Sequence, residues 1–202
     1  MELTELFTKG GAVMYLLLIC SVAVTAIGIE RLVFYHYAGN NADQFLETLQ
    51  TKLRGEDLDK VADFCHAEKN LPGNVAFAGV LAAIQKENVE TALDIAYNEA
   101  AMKLRARLNY LSMTVTLSPL LGLLGTIAGM IEAFNIFNLQ SGQPLAITGG
   151  IGEALIATAT GLCVAIFALI VHTYFAQRLD EMLSKLEKTA SIVLGALGGK
   201  VK

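Results

Sequence analysis

The amino-acid sequence predicts an all-α integral membrane protein with three transmembrane helices that are extended by cytoplasmic helices. Of its 202 residues, 54% are hydrophobic and only 17% are charged, and the mean hydropathy is +0.51. A water-soluble domain of this length contains about 45–50% apolar and about 25% charged residues. The apolar excess is concentrated in three long stretches that are almost free of charge, which distinguishes a membrane protein from a globular protein with a large core.

The first apolar stretch covers residues 10–29, about 20 residues, which is enough to cross a bilayer core of about 30 Å. A secretory signal would have a basic start and a small-residue cleavage site. Here Glu2 and Glu5 precede the stretch, and Glu30–Arg31 follow it. We therefore expect a retained transmembrane helix over 10–35.

The second and third apolar stretches are separated by a short polar turn over residues 140–144. The second covers 108–139 and the third covers 145–177, and each contains one carboxylate, Glu132 and Glu153 respectively. Serine, glycine and proline in the turn favour a tight reversal of the chain. These two stretches are therefore predicted to form an antiparallel helical hairpin in the membrane.

The two remaining regions, 36–107 and 178–202, show apolar residues at spacings of three and four, which is typical of amphipathic helices. In the first region, breaks are predicted at 39–41, at Gly55 and at 70–73, where glycine, asparagine and proline occur. Such helices pack against partner helices. On the C-terminal helix the predicted packing side consists of Leu179, Met182, Leu183, Leu186, Ala190 and Val193.

The distribution of basic residues predicts the topology, because Lys and Arg are retained on the cytoplasmic side of a membrane. Of the 15 Lys and Arg residues, only Lys9 precedes the first span; the turn region 140–152 has none, and the others lie in 31–107 and 178–202. The N-terminus is therefore predicted in the periplasm and the C-terminus in the cytoplasm. In order, the predicted segments are a short periplasmic N-terminus (1–9), transmembrane helix 1 (10–35), a cytoplasmic helical region (36–107), transmembrane helix 2 (108–139), a periplasmic turn (140–144), transmembrane helix 3 (145–177) and a cytoplasmic C-terminal helix (178–202).

Two carboxylates and one histidine lie within the predicted spans. A charge at the centre of a bilayer costs roughly 2.5–3.5 kcal/mol, so Glu153, about eight residues into its span, needs a compensating partner. It could be a structural carboxylate bonded to a neighbouring helix, or a polar element of an ion path or a subunit contact. Glu132 lies near the outer end of its span and could reach the interface. His172, near the cytoplasmic end, could titrate or could simply pack at the interface.

Small residues and hydroxyls share one face of each hairpin helix, given 3.6 residues per turn. The faces fit close helix packing without transport, or a pore lining in which threonine hydroxyls contact water or ions. The hydroxyls can also bond back to their own helix. The second-span face holds Pro119, Gly122, Thr126, Gly129 and Ala133, with Gly125 on the same small-residue ridge; the third-span face holds Ala154, Thr158, Gly161, Ala165 and His172, with Thr160 beside Glu153 on a neighbouring face.

The sequence contains none of the patterns that would predict an enzyme. It has no phosphate-binding loop with its lysine, no nucleophile elbow and no His/Cys cluster with metal-ligand spacing. Cys20, Cys65 and Cys163 are too scattered for a disulfide framework. The net charge of −4 gives no support for nucleic-acid binding. No enzymatic activity, cofactor or metal is therefore expected.

Two segments of the predicted hairpin resemble the signatures of a known family. Residues 118–134, SPLLGLLGTIAGMIEAF, resemble the second-span signature of the MotA/TolQ/ExbB proton channel family. Residues 150–162, GIGEALIATATGL, resemble the third-span signature of its ExbB/TolQ branch, and Glu30–Arg31 at the end of the first span fits too. The resemblance covers nearly the whole chain, although Leu16 and Phe167 stand where many relatives have proline.

This resemblance implies a channel and scaffold subunit of a rotary motor driven by the proton-motive force in the bacterial inner membrane. Five copies would form a ring, a homopentamer, around a dimer of an ExbD/TolR-like single-span partner whose aspartate titrates, and a TonB-like protein would be a further partner. By motif match, the pore threonines would be Thr126 and Thr158. The implied ion-pathway residues are Thr126, Thr158, Glu153 and Thr160, and the implied pore-shaping residues are Pro119, Gly122, Gly125, Gly129 and Gly161.

Two alternatives to a motor subunit of the ExbB/TolQ kind stay open at this point. One is a non-conducting structural membrane scaffold, and the other is a MotA-like flagellar stator subunit. A small-molecule carrier would show internal repeats and more spans. Three spans and a modest cytoplasmic insert favour the ExbB/TolQ branch over the flagellar one. The sequence leaves open whether the ion is H⁺ or Na⁺ and which process would be powered.

Overall fold

The computed structural model describes residues 11–139 and 144–197, and within these ranges the side chains of 136–139, 144–148 and 153 are outside the description. Over this part of the chain the regular structure is all helical, which confirms the predicted all-α class. The helices are α1 (Gly11–Ala38), α2 (Ala42–Gly55), α3 (Leu58–Ala67), α4 (Leu71–Gln85), α5 (Val89–Arg105), α6 (Leu108–Leu139) and α7 (Pro144–Leu197).

Three helices are long and apolar enough to cross a membrane, in agreement with the three predicted spans. Their apolar windows lie within Gly11–Gly55, Val89–Asn135 and Gly149–Leu197 and have mean hydropathies of 2.5, 1.7 and 2.5. The last of these helices, α7, is 54 residues long, which corresponds to about 80 Å at 1.5 Å per residue. The predicted third span and the described part of the predicted C-terminal helix, up to Leu197, are therefore one continuous helix.

The chain divides into two compact units, of which the first comprises Met1–Ile29 and Arg107–Tyr174. Its large apolar side chains are mostly on the surface. In α1, Met14, Leu17 and Val24 are buried, whereas Ile19 is 64% exposed. Exposed apolar area costs about 25 cal/mol per Å² in water but not in hydrocarbon, so this surface suits a lipid environment. Other exposed members of the unit are Tyr15, Val22, Leu120, Leu123, Ile131, Leu155, Ile166 and Ile170.

The second unit comprises Glu30–Ala106 and Phe175–Lys202, and it has a compact apolar core. The periodic residues of α2 to α5 and of the C-terminal part of α7 point into this core, as the amphipathic pattern predicts. A Cβ atom placed on Gly79 would lie 2.6 Å from Leu93 Cδ2 and 2.8 Å from Val193 Cγ1, so no side chain fits there. Fully buried core residues include Leu49, Val61, Val80, Leu104, Leu186 and Val193.

The connections between the short helices are fixed by caps. Asn70 precedes α4, and its Oδ1 accepts a hydrogen bond from Gly73 N at 2.7 Å, while its Nδ2 donates to Asn40 O at 3.1 Å. Pro72 fits the first turn of α4, where no N–H is needed. The helix therefore begins inside the predicted break at 70–73. The other two predicted breaks, at 39–41 and at Gly55, coincide with the ends of α1 and α2.

Two side chains of α1 cap the C-terminus of α5 within the second unit. Arg31 is only 4% exposed, and its Nη1 donates to Lys103 O at 3.1 Å. The Tyr35 hydroxyl donates to Leu104 O at 3.0 Å. The last four carbonyls of a helix have no donor within the helix, so these two bonds satisfy acceptors that would otherwise be unpaired. The carboxylate of Glu30 holds the Arg31 guanidinium through bonds of 2.8 and 3.1 Å.

Candidate ion-pathway site

The candidate site lies in the first unit, where α6 and α7 cross on glycine residues. A Cβ atom placed on Gly122 would lie 3.0 Å from both Ala157 O and Thr158 Cα. One placed on Gly161 would lie 2.6 Å from Ser118 O. Larger side chains would push the helices apart, so the glycines permit the close approach that membrane helices use in place of a hydrophobic driving force.

The close contact extends along the helices on one side of this crossing, towards the C-terminal end of α6. A Cβ atom on Gly125 would lie 2.7 Å from Ala157 Cβ, and one on Gly129 would lie 3.0 Å from Ala154 Cβ. The four glycines that were predicted to shape a pore are thus all found at the contact between α6 and α7. Pro119 lies inside α6, one residue after the buried Ser118.

Thr126 and Thr158 are brought together across this crossing. Their hydroxyl oxygens are in direct hydrogen-bond contact with each other. Thr158 Oγ1 also donates to Gly122 O at 3.0 Å. Thr126 Oγ1 lies 3.1 Å from Gly122 O on its own helix and 3.4 Å from Ala154 O on α7. We call these two hydroxyls and two carbonyls the hydroxyl cluster.

The hydroxyl cluster contains two hydroxyl hydrogens, one on Thr126 and one on Thr158. One of them lies between the two hydroxyl oxygens, because two oxygens in direct contact would repel each other if only lone pairs faced across the gap. The other, on Thr158, is then donated to the Gly122 carbonyl. Both hydrogens are therefore donated within the chain. A group that approaches the cluster from outside meets only neutral oxygen lone pairs. Both threonines are half-buried, so the cluster is partly accessible.

The remaining polar residues singled out from the sequence do not join the cluster, or lie outside the description. Thr160 is half-buried and its Oγ1 donates to Ile156 O at 2.8 Å, a bond within its own helix. The side chain of Glu153 is outside the described part of the chain. Glu132 is exposed and His172 is half-buried.

Sequence reasoning missed two contributors to the crossing. The carbonyl of Ala154 carries no side-chain signal. Ser118, however, precedes Gly122 by four residues and Thr126 by eight, so it lies on the same face of α6. It is 0% exposed, and its hydroxyl has no hydrogen-bond partner among the described residues. Within the ranges that the structure describes, no three His, Cys, Asp or Glu residues form a group that could hold a metal ion.

These features define a helical membrane protein whose second and third spans cross on glycine and share a neutral hydroxyl cluster. The model of the MotA/TolQ/ExbB proton channel family matches residues 67–188, which is more than half of the chain. The chain belongs to the MotA/TolQ/ExbB proton channel family. This membership and the three apolar helices together support an inner-membrane protein.

Similar proteins carry ExbB and TolQ names, which confirms the predicted resemblance to that branch. The ExbB-like 1 protein of Synechocystis sp. is 35% identical over 177 residues, which are 84% of this chain and 69% of that protein. An ExbB homologue of Methanothermobacter thermautotrophicus is 23% identical over 91% of this chain and 66% of its own length. The Tol-Pal system protein TolQ of Pseudomonas aeruginosa is 35% identical over 49% of this chain and 43% of its own length. The chain thus spans about two thirds of the first two relatives and less than half of the third.

Proposed function

We propose that this chain is a channel and scaffold subunit of a motor driven by the proton-motive force. Five copies would form a ring around a dimer of an ExbD/TolR-like single-span partner, and ion flow would rotate the partner within the ring. The observation that carries this proposal is the hydroxyl cluster, in which Thr126 and Thr158 meet across two apolar helices. The role is one of channel and scaffold and not of enzyme.

The hydroxyl cluster needs a titratable group beside it, and we propose that the partner's span supplies it. Hydroxyls and backbone carbonyls do not change charge near neutral pH, so Thr126 and Thr158 cannot carry a proton by ionising. A carboxyl group on the partner's span can do so. The cluster offers lone pairs, and a protonated carboxyl supplies a matching donor. A carboxylate has only acceptor oxygens. It could bind the cluster only if one threonine hydroxyl hydrogen turned away from its acceptor in the cluster and towards the carboxylate.

We assign the ion pathway to Thr126, Thr158, Glu153 and Thr160. The two clustered threonines would face the partner's carboxyl, Glu153 would be the glutamate within the membrane, and Thr160 would lie beside it. Pro119 and the glycines Gly122, Gly125, Gly129 and Gly161 would shape the pore by keeping the hairpin narrow. A neighbouring helix can move past small side chains, whereas bulky ones would interlock with it.

The topology, the lipid-facing surface and the process that the motor powers are assigned by the same proposal. The N-terminus would lie in the periplasm and the C-terminus in the cytoplasm of a bacterial cell, with the exposed apolar surface of the first unit against lipid. Rotation of the partner would transmit energy across the envelope, for transport or envelope maintenance, and a TonB-like protein would be a further partner.

The test is to replace the hydroxyls with methyl groups. Thr126→Val and Thr158→Val keep the side-chain shape and remove the cluster's hydrogen bonds. Each variant, co-expressed with the partner and reconstituted in vesicles, should assemble normally but lose most proton flux under an imposed pH gradient. Thr116→Val is the matched control on α6, because Thr116 is exposed and bonds back to Ser112 O at 3.3 Å. It should conduct normally.

A second candidate function is a non-conducting scaffold, and one observation favours it: both cluster hydrogens are satisfied within the chain, as in a purely structural contact. Full energy coupling in the Thr126→Val, Thr158→Val double variant, together with no measurable proton flux through the unaltered complex, would select the scaffold. A MotA-like stator would be selected if the chain restored motility, and not envelope function, to a strain lacking its own subunit.

A further inference from the structure

Ser118 is a buried polar side chain that the hydroxyl cluster does not use. It is 0% exposed, and its Oγ has no hydrogen-bond partner among the described residues. A buried hydroxyl without a partner is unfavourable, and such groups in membrane helices usually bond back to a carbonyl of their own helix. Thr114 and Thr116 on α6 do so, with bonds of 2.8 and 3.3 Å. Ser118 is therefore an exception on this helix.

The residue that follows Ser118 leaves a second polar group available beside it. Pro119 lies inside α6 and has no backbone N–H, so the carbonyl of Val115, four residues earlier, lacks its usual helical donor. Ser118 and Val115 are three residues apart and thus lie on the same side of the helix. A hydroxyl and a free carbonyl on one side of a helix are the kind of partners that hold a buried water molecule.

This pair of groups lies in line with the hydroxyl cluster. Ser118, Gly122 and Thr126 follow one another at intervals of four residues on α6, about 6 Å of helix rise per interval. A Cβ atom placed on Gly161 would lie 2.6 Å from the Ser118 carbonyl oxygen, and Thr158 lies one turn away on the same helix. Ser118 therefore extends the polar line of the cluster towards the end of α6 that is predicted to be cytoplasmic.

We propose that Ser118 Oγ and the Val115 carbonyl form a buried water site, which extends the hydroxyl cluster by one turn and continues the ion path inside the hairpin of a single chain. Its role in the path rests on the proposed function, whereas the water site itself does not. Water held there would accept a proton from a hydronium ion or water on one side and release one of its own protons to a water on the other side, while Ser118 Oγ and the Val115 carbonyl only hold it in place.

Two variants of Ser118 separate a hydrated role from a structural one. Ser118→Ala removes the hydroxyl and fills its place with a methyl group, and it should lower proton flux through the vesicle-reconstituted complex several-fold. Ser118→Gly removes the side chain and leaves space for a second water, so it should recover at least half of the lost flux. A purely structural serine gives the opposite order, because glycine in a helix is less stable than alanine.

The matched control is Ser112→Ala, since Ser112 is exposed on the same helix, and its flux should not change. The water site as part of the path is overturned if Ser118→Ala conducts normally, whatever its unfolding temperature, or if Ser118→Gly conducts no better than Ser118→Ala.

A density map of the complex at a resolution that shows ordered water tests the site without reference to conduction. Density within hydrogen-bond distance of Ser118 Oγ and Val115 O supports the water site even if the unaltered complex carries no protons, in which case only the proposed function fails. A well-resolved map without that density overturns the site.

Discussion

The hydroxyl of Thr158 on α7 donates to the backbone carbonyl of Gly122 on α6, with 3.0 Å between the oxygens. This bond joins the polar and the steric parts of the candidate site. The Gly122 carbonyl can be reached because neither Gly122 nor Gly161 has a side chain to separate the helices. A substitution that widens the glycine contact should therefore lengthen or break the hydrogen bond from Thr158 to Gly122 O.

Gly161→Ala tests that connection. The added Cβ would lie 2.6 Å from Ser118 O and 3.0 Å from Gly122 Cα, both backbone atoms that cannot turn away. Overpacking of this kind costs about 1–3 kcal/mol, and separating the helices would lengthen the bond from Thr158 to Gly122. We expect a lower unfolding temperature in detergent and a lower proton flux.

Gly195→Ala is the matched control for this variant, because Gly195 lies in the same helix and a Cβ atom there meets nothing within 4 Å. It should be neutral or should stabilise the helix by about 0.5–1 kcal/mol. If both alanine variants changed the unfolding temperature alike, the proposed steric role of Gly161 would be wrong.

Tyr35→Phe tests the cap at the C-terminus of α5. The change removes the donor to Leu104 O and leaves the ring in place. The expected loss of stability is about 0.5–1.5 kcal/mol, the net value of one hydrogen bond, measured by thermal or denaturant unfolding. Tyr37→Phe is the control, since Tyr37 is 69% exposed and its replacement should have no effect. Equal stability of the two variants would contradict the capping role.

Cys65 should be chemically inert in the folded protein. Burial, with a smaller contribution from the nearby Glu68 carboxylate, raises the pKa of its thiol to about 12. The thiolate is the reactive form, so in a variant in which Cys20 and Cys163 are replaced by alanine, iodoacetamide at pH 8 should modify Cys65 far more slowly in the folded state than in denaturant. Equal rates would show that the thiol is open to solvent.

The same pKa shift predicts how stability depends on pH. Below about pH 9 the Cys65 thiol is neutral in both folded and unfolded chains, so it contributes no pH dependence. Above that pH the unfolded chain ionises and the folded one does not until about pH 12. The free energy of unfolding should therefore fall between these values. Cys65→Ala should remove this part of the decline.

The long apolar helices could be predicted from the sequence, because an uncharged apolar run of about 20 residues is typical of a transmembrane helix. Most of the short connections could be predicted as well, since Gly39, Gly55 and Pro72 mark them. The break between α4 and α5 could not. Lys86 adopts a left-handed φ of 58° at this break, and the Asn88 side chain caps the next helix by accepting a hydrogen bond from Thr91 N at 3.0 Å. Neither Gly nor Pro occurs there to mark the break in the sequence.

The candidate site was predictable in its side chains but not in its backbone partners. Thr126 and Thr158 stand out as hydroxyls on faces of small residues, and the structure brings them into contact. The carbonyls of Gly122 and Ala154 complete the cluster, yet every residue has a carbonyl, so no residue type signals them. Which carbonyl is reachable depends on the crossing of α6 and α7.

The neutrality of the hairpin crossing has a consequence for experiments at different ionic strengths. Among the described residues its polar contacts join uncharged hydroxyls and carbonyls, so added salt has no charge to screen in these contacts. The surface of the second unit instead carries ion pairs such as Lys185–Asp43 at 2.7 Å and Lys52–Glu56 at 2.8 Å. Concentrated salt should weaken those pairs while sparing the threonine contact, so melting curves recorded with and without it would tell which unit gives way first.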